Sequence, residues 1–115
     1  MSFTHQIIDI NDRVKFDEFV DGLFTKFPFN DVFETVKKIN LAKHTHSGIE
    51  SRLFLEGTAK FLFDGKQTVD CVPGSYIEIA SETPHSFKYS GKEPLKVLRF
   101  FSNHAEWTGN FCDHQ

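Results

Sequence analysis

Apolar residues recur at helical spacing in one clear stretch of the chain. In 11-NDRVKFDEFVDGLFTKF-27, the residues Val14, Phe16, Phe19, Val20, Leu23 and Phe24 fall on one face of a helix. Asn11 or Asp12 supplies an N-cap, because a short side-chain oxygen there can accept from a free amide of the first turn. Pro28 ends the helix, and Asn30-Asp31 reads as a turn. The stripe predicts a helix packed against the rest of the domain.

From Val32 onward the period shortens to two. The segment 32-VFETVKKINLA-42 alternates as a strand or two, and Ser47-Gly48 is a turn. The segment 49-IESRLFL-55 is a strand with Glu50, Arg52 and Phe54 on one face, broken by Glu56-Gly57. Strands 59-AKFLF-63 and 67-QTVDCV-72 flank Asp64-Gly65-Lys66, a hairpin signal. Pro73-Gly74, Thr83-Pro84 and Ser90 to Pro94 then separate 75-SYIEIA-80, 85-HSFKY-89 and 95-LKVLRFF-101. Short strands at this spacing predict an all-β antiparallel sandwich or barrel. Leu53 and Leu55 are out of phase with Glu50 and Arg52, so they point outward. Outward apolar residues predict cover by the N-terminal helix or a homodimer interface.

Composition adds limits. A chain of 115 residues makes one domain, divided here into a helix-bearing segment 1–31 and a barrel 32–115. The 14 phenylalanines suit an aromatic β core. A net charge of -3 offers no basic footprint for nucleic acid, and no apolar run is long enough to span a membrane. No secretory leader pattern opens the chain, and Cys71 and Cys112 form no Cys-x-x-Cys pair. A cytoplasmic protein with free thiols is expected.

Candidate chemistry lies in 44-HTHSGIESR-52. Residues i and i+2 of a strand share a face, so His44 and His46 project together, as do Glu50 and Arg52 beyond the turn. A lone His-x-His pair is more often an ordinary pair of histidines than a ligand pair. Two imidazoles with a carboxylate form a transition-metal ligand set, and His85, sharing a face with Phe87, offers a third imidazole. Arg52 is in phase with Glu50 and can orient it or attract an anion. Arg99, in phase with Val97 and Phe101, needs a partner on an inward face; an ion pair and a substrate contact both stay open. His104 is placed in a loop before Trp107, and His5 and His114 receive no role.

The run His44-x-His46-x3-Glu50-x6-Gly57 resembles the first motif of the cupin superfamily. Gly74 through Ala80 to His85 has the spacing of the second, with Ala80 for the usual proline, Glu82 for the usual glycine and Tyr89 for the late asparagine. Within the cupins, 44-HTHSGIESRLFLEGTAKFLF-63, Gly74 to Phe87 and 99-RFFSNHAEWTGN-110 look like acireductone dioxygenase. The resemblance covers roughly residues 40 to 110. It implies a cupin jelly-roll (double-stranded β-helix) barrel behind a short helix, with His44, His46, Glu50 and His85 as metal ligands. One divalent transition ion is implied, iron foremost, with nickel, manganese, cobalt or zinc also suited. Arg52 and Arg99 are implied beside the reacting group, and Phe54, Phe87 and Trp107 as pocket wall. The implied activity is a dioxygenase acting on a small enediol or dicarbonyl compound. A non-redox isomerase or lyase and a ligand-sensing cupin are the alternatives. Typical members are longer at the N-terminus, and some carry an aromatic residue where this chain has Asn40; both differences concern the substrate's tail.

Overall fold

The computed structural model describes residues 2–113, and side chains as far as Thr108. Cys112 and His114 therefore lie outside the described side chains. The chain runs β1 (Phe3–Ile7), α1 (Arg13–Lys26), β2 (Phe29–Thr35), β3 (Ile39–His44), β4 (Glu50–Glu56) and β5 (Ala59–Phe63). It continues with β6 (Gln67–Cys71), β7 (Ser75–Ile79), β8 (His85–Tyr89), β9 (Leu95–Phe101) and α2 (His104–Asp113). A five-stranded sheet has the order β1-β7-β4-β9-β2, and a four-stranded sheet the order β3-β8-β5-β6. The pairings are antiparallel throughout. Two such sheets packed face to face form a jelly roll, and the inward residues of both make the core.

Alternation explains which side chains go where. On β4, Phe54 faces the inter-sheet core with Phe61, Ile77 and Val97. Leu53 points the other way, into a second cluster with Leu23, Phe27, Tyr76 and Phe100. That second cluster lies beneath α1, so the helix covers the outward face of the five-stranded sheet. Both faces of β4 are therefore buried, with Leu53 and Phe54 each at 0% exposure. Asp12 caps α1, its side chain accepting from the Lys15 amide at 3.2 Å.

One element is added and two local expectations are corrected. Residues 3–7 form a strand, β1, paired along its length with β7, and Phe3 stacks on Phe63 with ring centroids 3.9 Å apart. The barrel thus recruits residues from the segment 1–31. Asn30-Asp31 is not a turn but part of β2, where Asp31 stands opposite Arg99 of β9; the ion pair between them overrides the local turn preference. His104 opens α2 rather than sitting in a loop, because the Asn103 side chain accepts from the Glu106 amide at 2.8 Å and caps the helix.

The departure from the motif at position 82 has a backbone consequence. Glu82 adopts φ +61°, in the left-handed region where glycine is unstrained. Its amide donates to the His46 carbonyl at 2.8 Å, which ties this turn to the loop after β3.

Candidate metal centre

β3 and β8 pair so that His44 and His85 are direct cross-strand partners. His46 follows two residues later in the loop beyond β3, and Glu50 opens β4 in the other sheet. The four residues thus meet where the two sheets close at one end of the barrel. One ligand atom from each of His44, His46, Glu50 and His85 lies within 4.8 Å of the others. His85 is 1% exposed and Glu50 6%.

The hydrogen bonds fix what each imidazole offers. His44 Nδ1 lies 2.6 Å from the Ala42 carbonyl oxygen, and His85 Nδ1 lies 2.8 Å from that of Thr83. A carbonyl oxygen only accepts, so both Nδ1 atoms carry hydrogen. His46 Nδ1 lies 2.7 Å from the Glu106 carboxylate and donates likewise. In the neutral rings every Nε2 is then a lone pair.

Two of those lone pairs face Glu50 Oε1, at 2.9 Å from His46 Nε2 and 3.1 Å from His85 Nε2. Lone pairs at that distance repel unless a positive centre lies between them. Two ligands each about 2.1 Å from one ion, at a right angle, are about 3.0 Å apart, which matches both separations. The donor set fits a divalent transition ion.

The charges around the cluster act on each of its groups. Burial works to raise the Glu50 pKa, but the Arg52 charge and the two imidazoles beside it outweigh it and hold the carboxyl well below its usual range. Burial also works against a charged His46, yet Glu50 and Glu106 outweigh it and raise its pKa. His44 is shifted down, chiefly by burial. Glu50 spends its second oxygen on Arg52 Nη2, at 3.1 Å. Burial lowers the Arg52 pKa to about 10.

The cluster lines a small cavity of about 50 Å³, walled by Phe33, Phe54, Phe61 and Phe87. Arg52 and Arg99 line it too. Arg99 makes a bidentate pair with Asp31, Nε to Oδ1 at 2.7 Å and Nη2 to Oδ2 at 2.8 Å. Its guanidinium lies over the rings of Phe33 and Phe101. Arg99 Nη1 is buried with no hydrogen-bond partner among the described residues. Trp107 does not line the cavity; it sits behind Asp31, donating from Nε1 to Oδ2 at 3.2 Å and stacking on Phe29. His104 is exposed and packs edge-on against Phe29 and Trp107. Cys71 is fully buried in the core as a free thiol whose pKa burial pushes up to about 12. Its sulfur is chemically quiet.

Two residues of the centre were not singled out from sequence. Glu106 holds His46, and Asp31 holds Arg99. For Asp31, the trace in the sequence is an acidic residue within a stretch that strand alternation can cover. Glu106 had only its place beside Trp107.

A family model for the cupin domain matches residues 36–101. The chain belongs to the cupin family. It is 30% identical over 87 residues to an acireductone dioxygenase of Hydrogenobaculum sp., covering 73% of this chain and 48% of that protein. It is 35% identical over 76 residues to an acireductone dioxygenase of Synechococcus sp., covering 64% and 42% respectively. This cupin therefore spans about half the length of the curated relatives it matches. Its fold is similar to that of an acireductone dioxygenase from Bacillus anthracis with a cadmium ion in its active centre. That match has a TM-score of 0.65 at 16% identity, over 88% of this chain and 78% of that one. The fold is also similar to that of the DMSP lyase DddQ from Ruegeria pomeroyi, with a TM-score of 0.55 at 23% identity, over 64% and 37%.

Proposed function

We propose that this cupin is a metal-dependent dioxygenase that binds a small enediol or 1,3-dicarbonyl compound, in the manner of an acireductone dioxygenase. The observation that carries the reading is the set His44, His46, Glu50 and His85 at the floor of an apolar cavity. A divalent transition ion held there, with iron the first choice, supplies Lewis acidity and access to redox chemistry. Four protein ligands leave two positions of a six-coordinate ion open to the two oxygens of a chelating substrate.

The chain's own residues do the rest. Arg99 Nη1 and the Arg52 guanidinium offset the negative charge of an enolate in a low-dielectric site. Phe54, Phe61 and Phe87 exclude water from the carbon skeleton. Asp31 keeps Arg99 in place, and Trp107 supports Asp31 from behind.

The test is oxygen consumption. Protein loaded anaerobically with iron(II) and mixed with acireductone or acetylacetone analogues should consume oxygen, and His85→Ala should abolish this. An absence of uptake with every enediol and dicarbonyl offered would overturn the reading. A second reading, a non-redox isomerase or lyase using the same four ligands, rests on the donor set of three imidazoles and one carboxylate, which suits zinc or manganese as well. It predicts conversion of a small hydroxycarbonyl compound by the zinc or manganese form without oxygen.

A further inference from the structure

We propose that Glu106 is a positioning residue of the metal centre, holding His46 in the tautomer that ligates and making it the strongest imidazole donor of the three. The inference rests on the metal-centre reading above and goes beyond the four ligands.

The three imidazoles are not held alike. His44 and His85 each donate from Nδ1 to a neutral backbone carbonyl, of Ala42 and Thr83. His46 donates to a carboxylate, Glu106 Oε2, at 2.7 Å. The other oxygen, Oε1, accepts from the Ser47 amide and from the Ser47 hydroxyl, both at 2.9 Å. One carboxylate thus clamps the ring of a ligand and the backbone of the residue next to it. Glu106 takes all three contacts as an acceptor, so a carboxylate anion faces His46.

An anion hydrogen-bonded to Nδ1 draws that proton toward itself and leaves more electron density on Nε2. A backbone carbonyl does so less. The carboxylate also disfavours the other tautomer, since a lone pair at Nδ1 would face a negative oxygen.

The geometry that delivers Glu106 is built for contact. Glu106 lies in the first turn of α2, and Asn103 caps its amide at 2.8 Å. The loop carrying His46 comes so close that a Cβ on Gly48 would lie 2.6 Å from Asn103 Nδ2. Ser102 Oγ accepts from the Ile49 amide at 2.8 Å, a second tie between the two segments. The start of α2 and the ligand loop are therefore tied at several points, with Glu106 as the tie that reaches a candidate ligand.

The experiment measures cobalt(II) affinity by competition with a chelator, together with the visible absorption of the cobalt form. Parent protein, Glu106→Gln, Glu106→Ala and Asn103→Ala are compared, each also melted without metal. Glutamine has one acceptor oxygen for three donors and no charge, so Glu106→Gln should lose about 10- to 100-fold in affinity. Its cobalt band should shift while its metal-free melting stays near that of the parent. Asn103→Ala loosens the helix start but keeps the carboxylate, so its affinity should fall much less. Two results would overturn the proposal: parent affinity in both Glu106 variants, or an equal loss in Asn103→Ala, which would assign the effect to helix seating. A parent that takes up no cobalt overturns the metal-centre reading along with this one. A parent that binds while the Glu106 variants match it overturns this one alone.

Discussion

Two residues, Arg99 and Glu82, show how far local chemistry reaches. Arg99 alternates with Val97 and Phe101, so its inward direction is evident from spacing alone. Its partner is not, because Asp31 lies 68 positions away in the chain and next to an asparagine. That neighbour makes residues 30–31 look like a turn, whereas the pairing of β2 with β9 makes them strand. Glu82 is the opposite case, since a glycine is usual there and the backbone conformation that glycine serves is kept. A non-glycine residue in the left-handed region costs about 1–2 kcal/mol, while glycine gives back about 0.5–1 kcal/mol through the unfolded chain. Glu82 is exposed, so its side chain leaves no buried gap when removed. Glu82→Gly should therefore raise stability, by up to about 1 kcal/mol in urea unfolding. A lower midpoint would mean that the Glu82 side chain holds something the backbone argument leaves out.

Elements were more legible where they carry their own period. The stripe from Val14 to Phe24 marks α1, although Val14 and Phe24 themselves stay 67% and 47% exposed at its edges. The phase of β4 was likewise evident, with Glu50, Arg52 and Phe54 toward the cavity and Leu53 away from it. Two explanations of the outward leucines were open, a second copy of the chain and the helix. The helix occupies that face, packing Leu23 and Phe27 into one cluster with Leu53 and Phe100. Leu53→Ala should accordingly cost about 2–5 kcal/mol of unfolding free energy, with the metal ligands untouched. A loss below about 1 kcal/mol would show that α1 is only loosely docked. β1 was illegible because a five-residue edge strand has too few positions to display a period, and its stability comes from β7, far along the chain. α2 was illegible for a related reason: its start depends on Asn103 capping Glu106, and its contacts are with β2 and β9.

At the scale of the whole molecule, the candidate metal centre joins two sheets and a helix. His44 and His85 come from one sheet, Glu50 from the other, and His46 is tied through Glu106 to α2. An ion that binds only the assembled centre must stabilise the assembly. Metal at a hundred times its dissociation constant should add about 2.7 kcal/mol, seen as a higher melting temperature. His44→Ala and His85→Ala should abolish that gain and the bound metal in elemental analysis. Equal metal content in both variants and the parent would refute the centre. The sequence by itself determined the helix, the β class, the phase of β4 and the four candidate ligands. Each of these rests on spacing, and the two-residue period of a strand assigns a face before any partner is known. Only the tertiary structure decided that β1 completes a sheet, that Asp31 holds Arg99, that Trp107 stands behind the cavity wall and that Glu106 grips His46. These are pairings between distant segments, and a hydrogen bond between distant segments leaves no period in either of them.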